Sequence, residues 1–264
     1  MRLGIIGYGF IGQHAVRSIL GGGPAESGLR LAFVHTRQVA KLAGLPAEMQ
    51  LADLADWRRH GAELIVECAH PGITRQYGTD FLASADYLPL SVNALGDAEV
   101  ERALLEASRK SGHRLLIPHG ALIGLDNLVE GAGQWAEAQI TFRKHPRNID
   151  FAETDIDPAS ITSETVVYEG PVRGITRLFP RNVNTMATFA LATTGLDHCT
   201  ARLIADPSLN VAIAEVRAVG KDGSIHESRK VQPVVGVSGT EMLASQMASI
   251  RRAAGVRLAG LQFV

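Results

Sequence analysis

The first twelve residues constrain this chain more than any other stretch. A short apolar strand, predicted at Leu3–Ile6, leads directly into Gly7-Tyr8-Gly9-Phe10-Ile11-Gly12, a G-x-G-x-x-G pattern with helix-like residues behind it. In a dinucleotide site the first glycine permits a tight turn, the second lets backbone approach a pyrophosphate, and the third lets the helix pack on the strand. The helix start, at Phe10 and Ile11, offers amide hydrogens to the phosphates. The pattern predicts a dinucleotide-binding domain; a glycine turn without nucleotide is the alternative.

Strand-like and helix-like segments alternate through residues 1–118. Strands are predicted at Leu3–Ile6, Leu29–His35, Glu63–Cys68, Tyr87–Val92 and His113–Ile117, and helices at about 71–84 and 98–110. Such alternation is typical of a parallel sheet with right-handed crossovers. Pro89 weakens the fourth strand, because proline cannot donate to a ladder. We therefore predict an α/β fold whose first domain, residues 1–118, is a Rossmann domain.

The pattern changes after Pro118. Helices are predicted at Ala121–Gly131, Asn182–Thr194 and Thr240–Ala254, and strands at Ala138–Lys144, Val172–Phe179, Thr200–Ala205, Val211–Val219 and Ser224–Gln232. Strands that follow one another closely favour an antiparallel sheet. We predict an α+β domain over residues 119–236, and a C-terminal segment, residues 237–264, whose helix returns to the first domain.

Bulk properties narrow the function classes. The 264 residues carry a formal net charge of −1, which gives no indication of a nucleic acid or an anionic membrane as partner. No apolar run approaches the roughly 20 residues of a membrane span. Two cysteines, Cys68 and Cys199, suit a reducing compartment, so a cytoplasmic location is expected. The histidines and cysteines lack zinc-ligand spacing, and no metal is expected.

The end of the second strand bears on the choice of dinucleotide. NAD sites usually place a carboxylate there to accept from the ribose 2′-hydroxyl. Here the residues are His35, Thr36 and Arg37. No carboxylate repels a 2′-phosphate, and Arg37 is suited to pair with one. We predict NADP as the favoured cofactor, or use of both NADP and NAD. The alternative is that Arg37 only begins a solvated helix.

Further stretches carry a resemblance to a known family. They are Gly4-Ile5-Ile6-Gly7-Tyr8-Gly9, Val66-Glu67-Cys68-Ala69-His70-Pro71, Ser91-Val92-Asn93-Ala94-Leu95-Gly96-Asp97, Ile117–Asp126, Phe179-Pro180-Arg181-Asn182-Val183-Asn184 and Ala205-Asp206-Pro207. The Pro-x-Gly-Ala-x-x-Gly-x-Asp and Phe-Pro-x-Asn-x-Asn segments are more specific than the glycine motif. On these residues the chain resembles the L-aspartate dehydrogenases over nearly its whole length.

The resemblance implies a Rossmann domain, an α+β catalytic domain and a homodimer. It implies NAD(P)-dependent interconversion of L-aspartate with iminosuccinate, or with oxaloacetate plus ammonia. The cofactor contacts that it implies are Ala121, at the nicotinamide end, and Asn184. Ala69, in a stretch of the first domain that matches the family, is also predicted to contact the cofactor. Glu67 and Asp97 are interpreted as structural or capping groups.

Three departures from the family pattern cluster in segments expected near the substrate. Ala212 stands where the family has its proposed catalytic histidine, and His119 stands where it usually has serine. The family's late Asn-Pro-Lys-Thr-Ser segment is replaced by Val234–Thr240. The chain is therefore expected to be a divergent member.

Candidate catalytic residues follow from the chemistry. Imine reduction needs orientation and charge complementarity, and ketone reduction also needs a proton donor. His119 follows the predicted fifth strand and is a candidate donor or carboxylate ligand; the alternative is a structural histidine. Lys144 and His145 end a strand and are candidates for carboxylate binding; the alternative is a solvated strand end.

The asparagines and arginines before the predicted 182–194 helix leave alternatives open. Asn182 and Asn184 are good N-capping residues, and Asn184 also fits an amide contact to the cofactor. Arg173 and Arg181 are weaker candidates for a bidentate carboxylate clamp.

The sequence favours an NAD(P)-dependent oxidoreductase that transfers hydride between nicotinamide and the amine or imine carbon of a small acidic substrate. Aspartate is the named substrate. Two alternatives remain: a reductase of a different imine or 2-oxo substrate, and a catalytically silent NADP-binding sensor.

Overall fold

A computed structural model describes residues 1–120, 122, 124–235, 238–239 and 241–256. The chain forms two compact units. The first comprises Met1–Ala94, Ala98–Pro118 and the chain from Leu243 onward; the second comprises Leu95–Asp97 and His119–Met242. No helix among these residues is both long enough and apolar enough to cross a membrane.

A parallel sheet forms the centre of the first unit. Its strands are β1 (Arg2–Ile6), β2 (Arg30–His35), β3 (Gln50–Leu51), β4 (Leu64–Glu67) and β5 (Asp86–Pro89). They lie in the order β3-β2-β1-β4-β5, and every pair is parallel. The accompanying helices are α1 (Phe10–Ser27), α2 (Pro71–Leu82) and α3 (Ala98–Ser111). This arrangement confirms the predicted α/β fold of Rossmann type and adds the short strand β3.

The predicted fifth strand at His113–Ile117 is wrong. Only one bridge forms, between Tyr87 and Leu115. Tyr87 donates to the Arg114 carbonyl at 2.9 Å and accepts from the Leu116 amide at 2.8 Å. The next donor along β5 would be Pro89, which has no amide hydrogen, so the ladder stops.

The second unit contains a mixed sheet. Its strands are β6 (Trp135–Lys144), β7 (Thr165–Pro171), β8 (Thr200–Ala205), β9 (Ala212–Gly220) and β10 (Ile225–Gln232), and its helices are α4 (Leu125–Glu130), α5 (Val172–Leu178) and α6 (Asn184–Ala192). The order is β10-β9-β6-β8-β7, with β6 and β8 parallel and the other pairs antiparallel. The sheet was predicted to be antiparallel, and the β6–β8 pair departs from that prediction. Between these two strands the chain runs back along β7 and returns through α5 and α6, so β8 runs in the direction of β6.

The segment Val172–Phe179, predicted as a strand, is helix α5. Val172, Ile175 and Thr176 are buried, a spacing of three and four residues that belongs to a helix face. The strand lies just before it, where β7 ends at Pro171. Of the predicted 121–131 helix, α4 accounts for the second half; Ala121 and Ile123 lie outside the described residues.

Two short strands, β11 (Val234–Val235) and β12 (Ser238–Gly239), pair with each other before helix α7 (Met242–Ala253). In the first unit α7 packs on residues from the start of the chain: its Met247, Ile250 and Ala253 share one core with Leu3 and Val16. Arg114 also donates to the carbonyl of Ala253 at 3.1 Å.

Candidate active site

The turn at Gly7 has no space for a side chain. Gly7 has φ +107°, which only glycine adopts readily. A Cβ there would lie 2.7 Å from the carbonyl oxygen of Cys68. The Gly7 amide donates to the His35 carbonyl at 2.8 Å, which fixes the end of β1 against β2.

The other two glycines serve different purposes. A Cβ on Gly12 would lie 2.0 Å from the Gly7 carbonyl oxygen, so helix and turn touch there. A Cβ on Gly9 would meet nothing within 4 Å. The first backbone hydrogen bond of α1 runs from the Gln13 amide to the Gly9 carbonyl oxygen at 2.9 Å. The amides of Phe10 and Ile11 come before this bond in the chain. Such a turn suits a pyrophosphate, because amides point outward beside an open backbone.

A buried carboxylate holds the neighbouring strand end. Glu67 is fully buried and accepts from the Ala69 amide at 2.6 Å, the His70 amide at 2.8 Å, and the Ser91 amide and hydroxyl at 3.2 and 3.1 Å. Burial raises the pKa of the Glu67 carboxyl, and these donors oppose that effect. The predicted cofactor contact Ala69 is exposed and held by this carboxylate. The structural role predicted for Glu67 is the one observed.

The end of β2 presents no carboxylate. His35 is buried and its Nδ1 lies 2.9 Å from the Leu51 carbonyl oxygen. Thr36 is half-buried, and Arg37 is exposed in the loop beyond the strand.

In the second unit, the segment after Pro118 lies against the start of α6. Gly120 has φ +61°, and a Cβ there would lie 2.9 Å from Oγ1 of Thr185. Thr185 follows Asn184, the first residue of α6. His119 is half-buried. The residue before the predicted contact Ala121 and the residue after the predicted contact Asn184 therefore lie against each other, while Ala121 itself lies outside the described residues.

Asn182 connects this cluster to the end of β6. Its Oδ1 accepts from the Asp150 amide at 2.9 Å, and its Nδ2 donates to the Asn148 carbonyl at 3.0 Å. The residue before α6 is Val183, whose side chain makes no capping bond. The N-capping alternative is therefore wrong for Asn182, which joins the loop after β6 to the start of α6.

Lys144 ends β6 as a buried cation. It is 7% exposed, and burial lowers its pKa to about 8. Its Nζ lies 5.4 Å from the ring centroid of Phe142, within the range of a cation–π contact. The solvated-strand-end alternative is wrong for Lys144.

His145 turns the chain after Lys144. It is half-buried, and its Nδ1 accepts from the Arg147 amide at 3.0 Å. Because Nδ1 accepts, a neutral His145 carries its proton on Nε2.

The two candidate arginines have structural partners. Arg173 contacts Asp197 at 2.6 Å and donates to the carbonyls of Leu95 and Gly96; its hydrogen bond holds the pKa of Asp197 below the ordinary value. Arg181 contacts Asp150 at 3.4 Å. Neither supports the clamp predicted for them.

Sequence reasoning missed Gln232. Its side-chain oxygen is buried and has no hydrogen-bond partner among the residues that the structure describes. Ala212 begins β9 opposite Gln232 and is buried. No local motif marks Gln232; only the strand register places it beside Ala212. Within the described ranges, no group of three or more histidine, cysteine, aspartate or glutamate side chains is arranged to hold a metal.

Comparisons with known proteins agree with this geometry. Residues 126–252 match the family described as aspartate dehydrogenase, C-terminal, and residues 7–118 match the homoserine dehydrogenase NAD binding domain. An aspartate dehydrogenase domain-containing protein of Xenopus tropicalis is 38% identical over 268 residues, 95% of this chain and 93% of the relative. An L-aspartate dehydrogenase of Methanosarcina mazei is 32% identical, over 84% of this chain and 85% of its own. The crystal structure of aspartate dehydrogenase from Thermotoga maritima matches with a TM-score of 0.73 at 25% identity, over 97% of this chain and 95% of that one.

The dinucleotide turn, the Rossmann sheet and these relatives define the class of protein as an NAD(P)-dependent dehydrogenase. Within that class, the chain belongs to the aspartate dehydrogenase family. The predicted family is thus confirmed, whereas the replacement of a catalytic histidine by Ala212 stays a prediction.

Proposed function

We propose that the protein transfers hydride between NAD(P) and the amine or imine carbon of L-aspartate and iminosuccinate, or forms aspartate from oxaloacetate and ammonia. The observation that carries the substrate class is Lys144, a buried cation at a strand end. An ammonium in a buried setting is suited to bind a substrate carboxylate through a charge-assisted hydrogen bond. The relatives named as aspartate dehydrogenases support the same substrate.

The turn from Gly7 to Gly12 fits a dinucleotide, because side chains are excluded at its two ends and the backbone is open at Gly9. The proposed cofactor contacts are Gly7, Gly9, Phe10, Ile11, Gly12, Thr36, Arg37, Ala69, Ala121 and Asn184. The bound nicotinamide supplies or accepts the hydride.

The chain's own residues supply charge and protons. Lys144 balances a substrate carboxylate, and His145 offers Nε2–H, since its Nδ1 accepts from Arg147. His119, half-buried beside Gly120, is the proposed proton donor when the substrate is a ketone. An iminium that is already protonated needs only orientation and charge complementarity from these groups.

NADP is the proposed preference, because the β2 end holds Thr36 and exposed Arg37 and no carboxylate. Arginine suits a 2′-phosphate through bidentate, charge-assisted hydrogen bonds. Cys68 and Cys199 form no disulfide, which fits the proposed cytoplasmic location.

A homodimer is also proposed, and one face of the second sheet supports it. Arginines and glutamates alternate across that face, so it carries both signs of charge and would not repel a second copy of itself as a face of one sign would. The pairs are Arg143 with Glu164 and Glu215, Arg229 with Glu215, Arg217 with Glu227, and Arg202 with Glu169.

A reductase of a different imine or 2-oxo substrate is the second candidate. Ala212 favours this second candidate. This buried alanine stands at the position where the aspartate dehydrogenases are expected to have a catalytic histidine.

The test is absorbance at 340 nm with NADPH, oxaloacetate and ammonium, repeated with NADH. Decay that requires ammonium supports the aspartate proposal. Decay only with other carbonyl–amine pairs favours the second candidate. If the protein binds the cofactor but turns over no carbonyl–amine pair, both enzymatic proposals are overturned and an NADP-binding sensor is favoured.

A further inference from the structure

The loop after β4 lies directly against the dinucleotide turn. A Cβ on Gly7 would lie 2.7 Å from the carbonyl oxygen of Cys68 and 2.9 Å from the amide nitrogen of Ala69. The loop then leads into α2, which begins at Pro71. The last residue before that helix, His70, is exposed. It therefore stands one residue from the backbone that contacts the turn.

The backbone amides of residues 68–73 are already used inside the chain. Those of Ala69 and His70 donate to one oxygen of Glu67 at 2.6 and 2.8 Å. Pro71 has no amide hydrogen. The other amides donate at 2.8, 3.0 and 2.9 Å, respectively, as follows: Cys68 to the Ile6 carbonyl, Gly72 to Nδ1 of His70, and Ile73 to the His70 carbonyl. Within residues 68–73, therefore, no amide is left for a phosphate, in contrast to the open turn before α1.

The His70 ring is held in one orientation. Its Nδ1 accepts from the Gly72 amide at 3.0 Å, so a neutral His70 carries its proton on Nε2. A Cβ on Gly72 would lie 3.0 Å from the same Nδ1, so the ring packs closely on the first turn of α2. Nε2 is the ring nitrogen farther from the backbone. The donor that this loop can offer a ligand is thus a side-chain N–H, oriented by the helix that the ring caps.

The strand order decides which half of a dinucleotide passes this loop. β2 and β4 flank β1 on opposite sides, and the order of the strands reverses between β1 and β4. A dinucleotide lies across such a reversal, with its two halves on opposite sides. The residues that end β2, with Arg37 beyond them, belong to the adenosine side. The nicotinamide half therefore passes over the end of β4, where His70 lies.

We propose that His70 binds the nicotinamide half of the cofactor, with its Nε2–H donating to an oxygen of that half's ribose or phosphate. Hydroxyl and phosphate oxygens are both acceptors that an N–H fits. This inference rests on the proposed dinucleotide site and deepens it, since it gives the nicotinamide half a donor from the residue that also caps α2.

The experiment separates the two roles of the ring. His70→Ser keeps an oxygen that caps a helix well, but its side chain ends well short of the position of Nε2. His70→Ala removes both the cap and the donor. We expect His70→Ser to weaken NADPH about three- to tenfold in calorimetry, the effect of one hydrogen bond, and to keep the urea midpoint of wild type. His70→Ala should weaken NADPH at least as much and also lower the urea midpoint.

A cofactor fragment is the matched probe. 2′,5′-ADP has the adenosine, the 2′-phosphate and the 5′-phosphate, and it lacks the nicotinamide half. His70→Ser should leave its affinity unchanged, whereas Arg37→Ala should weaken both ligands. His198→Ser, at an exposed position in the second unit, is the control and should change neither affinity.

The outcomes separate this inference from the proposed function. A loss of affinity for NADPH alone in His70→Ser supports the inference even if the protein turns over no aspartate. Wild-type affinity in His70→Ser, with the loss confined to His70→Ala, overturns it and leaves His70 as a helix cap. Equal losses for NADPH and 2′,5′-ADP also overturn it, because the substitution then acts through the turn. Neither of these two results changes the turnover assay on which the aspartate proposal depends.

Discussion

Lys144 is a single residue whose burial opposes folding. Burial lowers its pKa to about 8, against 10.5 for an ordinary lysine. Below pH 8 the folded state holds a buried charge; between pH 8 and 10.5 the folded protein loses the proton first, so the cost shrinks as pH rises. Wild type is therefore expected to gain stability relative to Lys144→Met as the pH rises from 8 to 10.5, by about 3 kcal/mol at most, and Lys144→Met is expected to abolish activity.

Thermal unfolding between pH 7 and 10.5 measures this effect. The stability of wild type relative to Lys144→Met should rise across that interval; Lys230, two residues before Gln232 on β10, pairs with Glu241. Lys110→Met, at an exposed position in α3, is the control and should show no such trend. A stability difference between wild type and Lys144→Met that does not change over this interval would contradict the lowered pKa of Lys144.

Arg37 is the residue proposed to favour NADP over NAD. It is exposed beyond β2, where no carboxylate stands. Arg37→Ala should weaken NADPH about tenfold or more and NADH much less, because a charge-assisted pair with the 2′-phosphate is lost. Fluorescence titration with both cofactors measures this, and equal weakening would defeat the 2′-phosphate assignment.

At the scale of elements, Glu67 joins the ends of β4 and β5. One oxygen receives two amides and the other receives the Ser91 amide. Glu67→Gln keeps one acceptor oxygen but turns an NH₂ group toward a donor. We expect a loss of about 1–3 kcal/mol in stability and a similar loss in NADPH affinity. The matched control is Glu106→Gln, at an exposed position on α3. If the two variants behave equally in urea unfolding and in cofactor titration, Glu67 does not hold the ends of β4 and β5 together.

Elements were predictable where their signal is local. The strand β1, the glycine turn and α1 follow from residue types within twelve positions, and the Rossmann fold follows from them. The strand predicted at His113–Ile117 is wrong because its ladder depends on Pro89 in another strand. The strand predicted at Val172–Phe179 is wrong because a seven-residue helix contains only about two turns, too few for its period to stand out in the sequence. The position of Gln232 could not be predicted from the sequence, because only the register of β9 and β10 places it opposite Ala212. Lys144 was found because it ends a strand, but its burial depends on the second unit's packing.

At the scale of the whole molecule, the two ends of the chain complete one core. Ile250 of α7 is 1% exposed and packs among Leu3, Ile5 and Val16, which support β1 and the glycine turn. Ile250→Ala should cost the first unit about 2–5 kcal/mol and weaken cofactor binding near its unfolding temperature. Each unit holds one tryptophan, Trp57 in the first and Trp135 in the second, so a Trp135→Phe background lets buried Trp57 report the first unit alone in urea. Arg252→Ala, exposed on the same helix, should leave that transition in place. If both variants unfold at the wild-type urea concentration, α7 is not part of the core that carries the dinucleotide turn, and the glycine motif would have to fold on the first 118 residues alone.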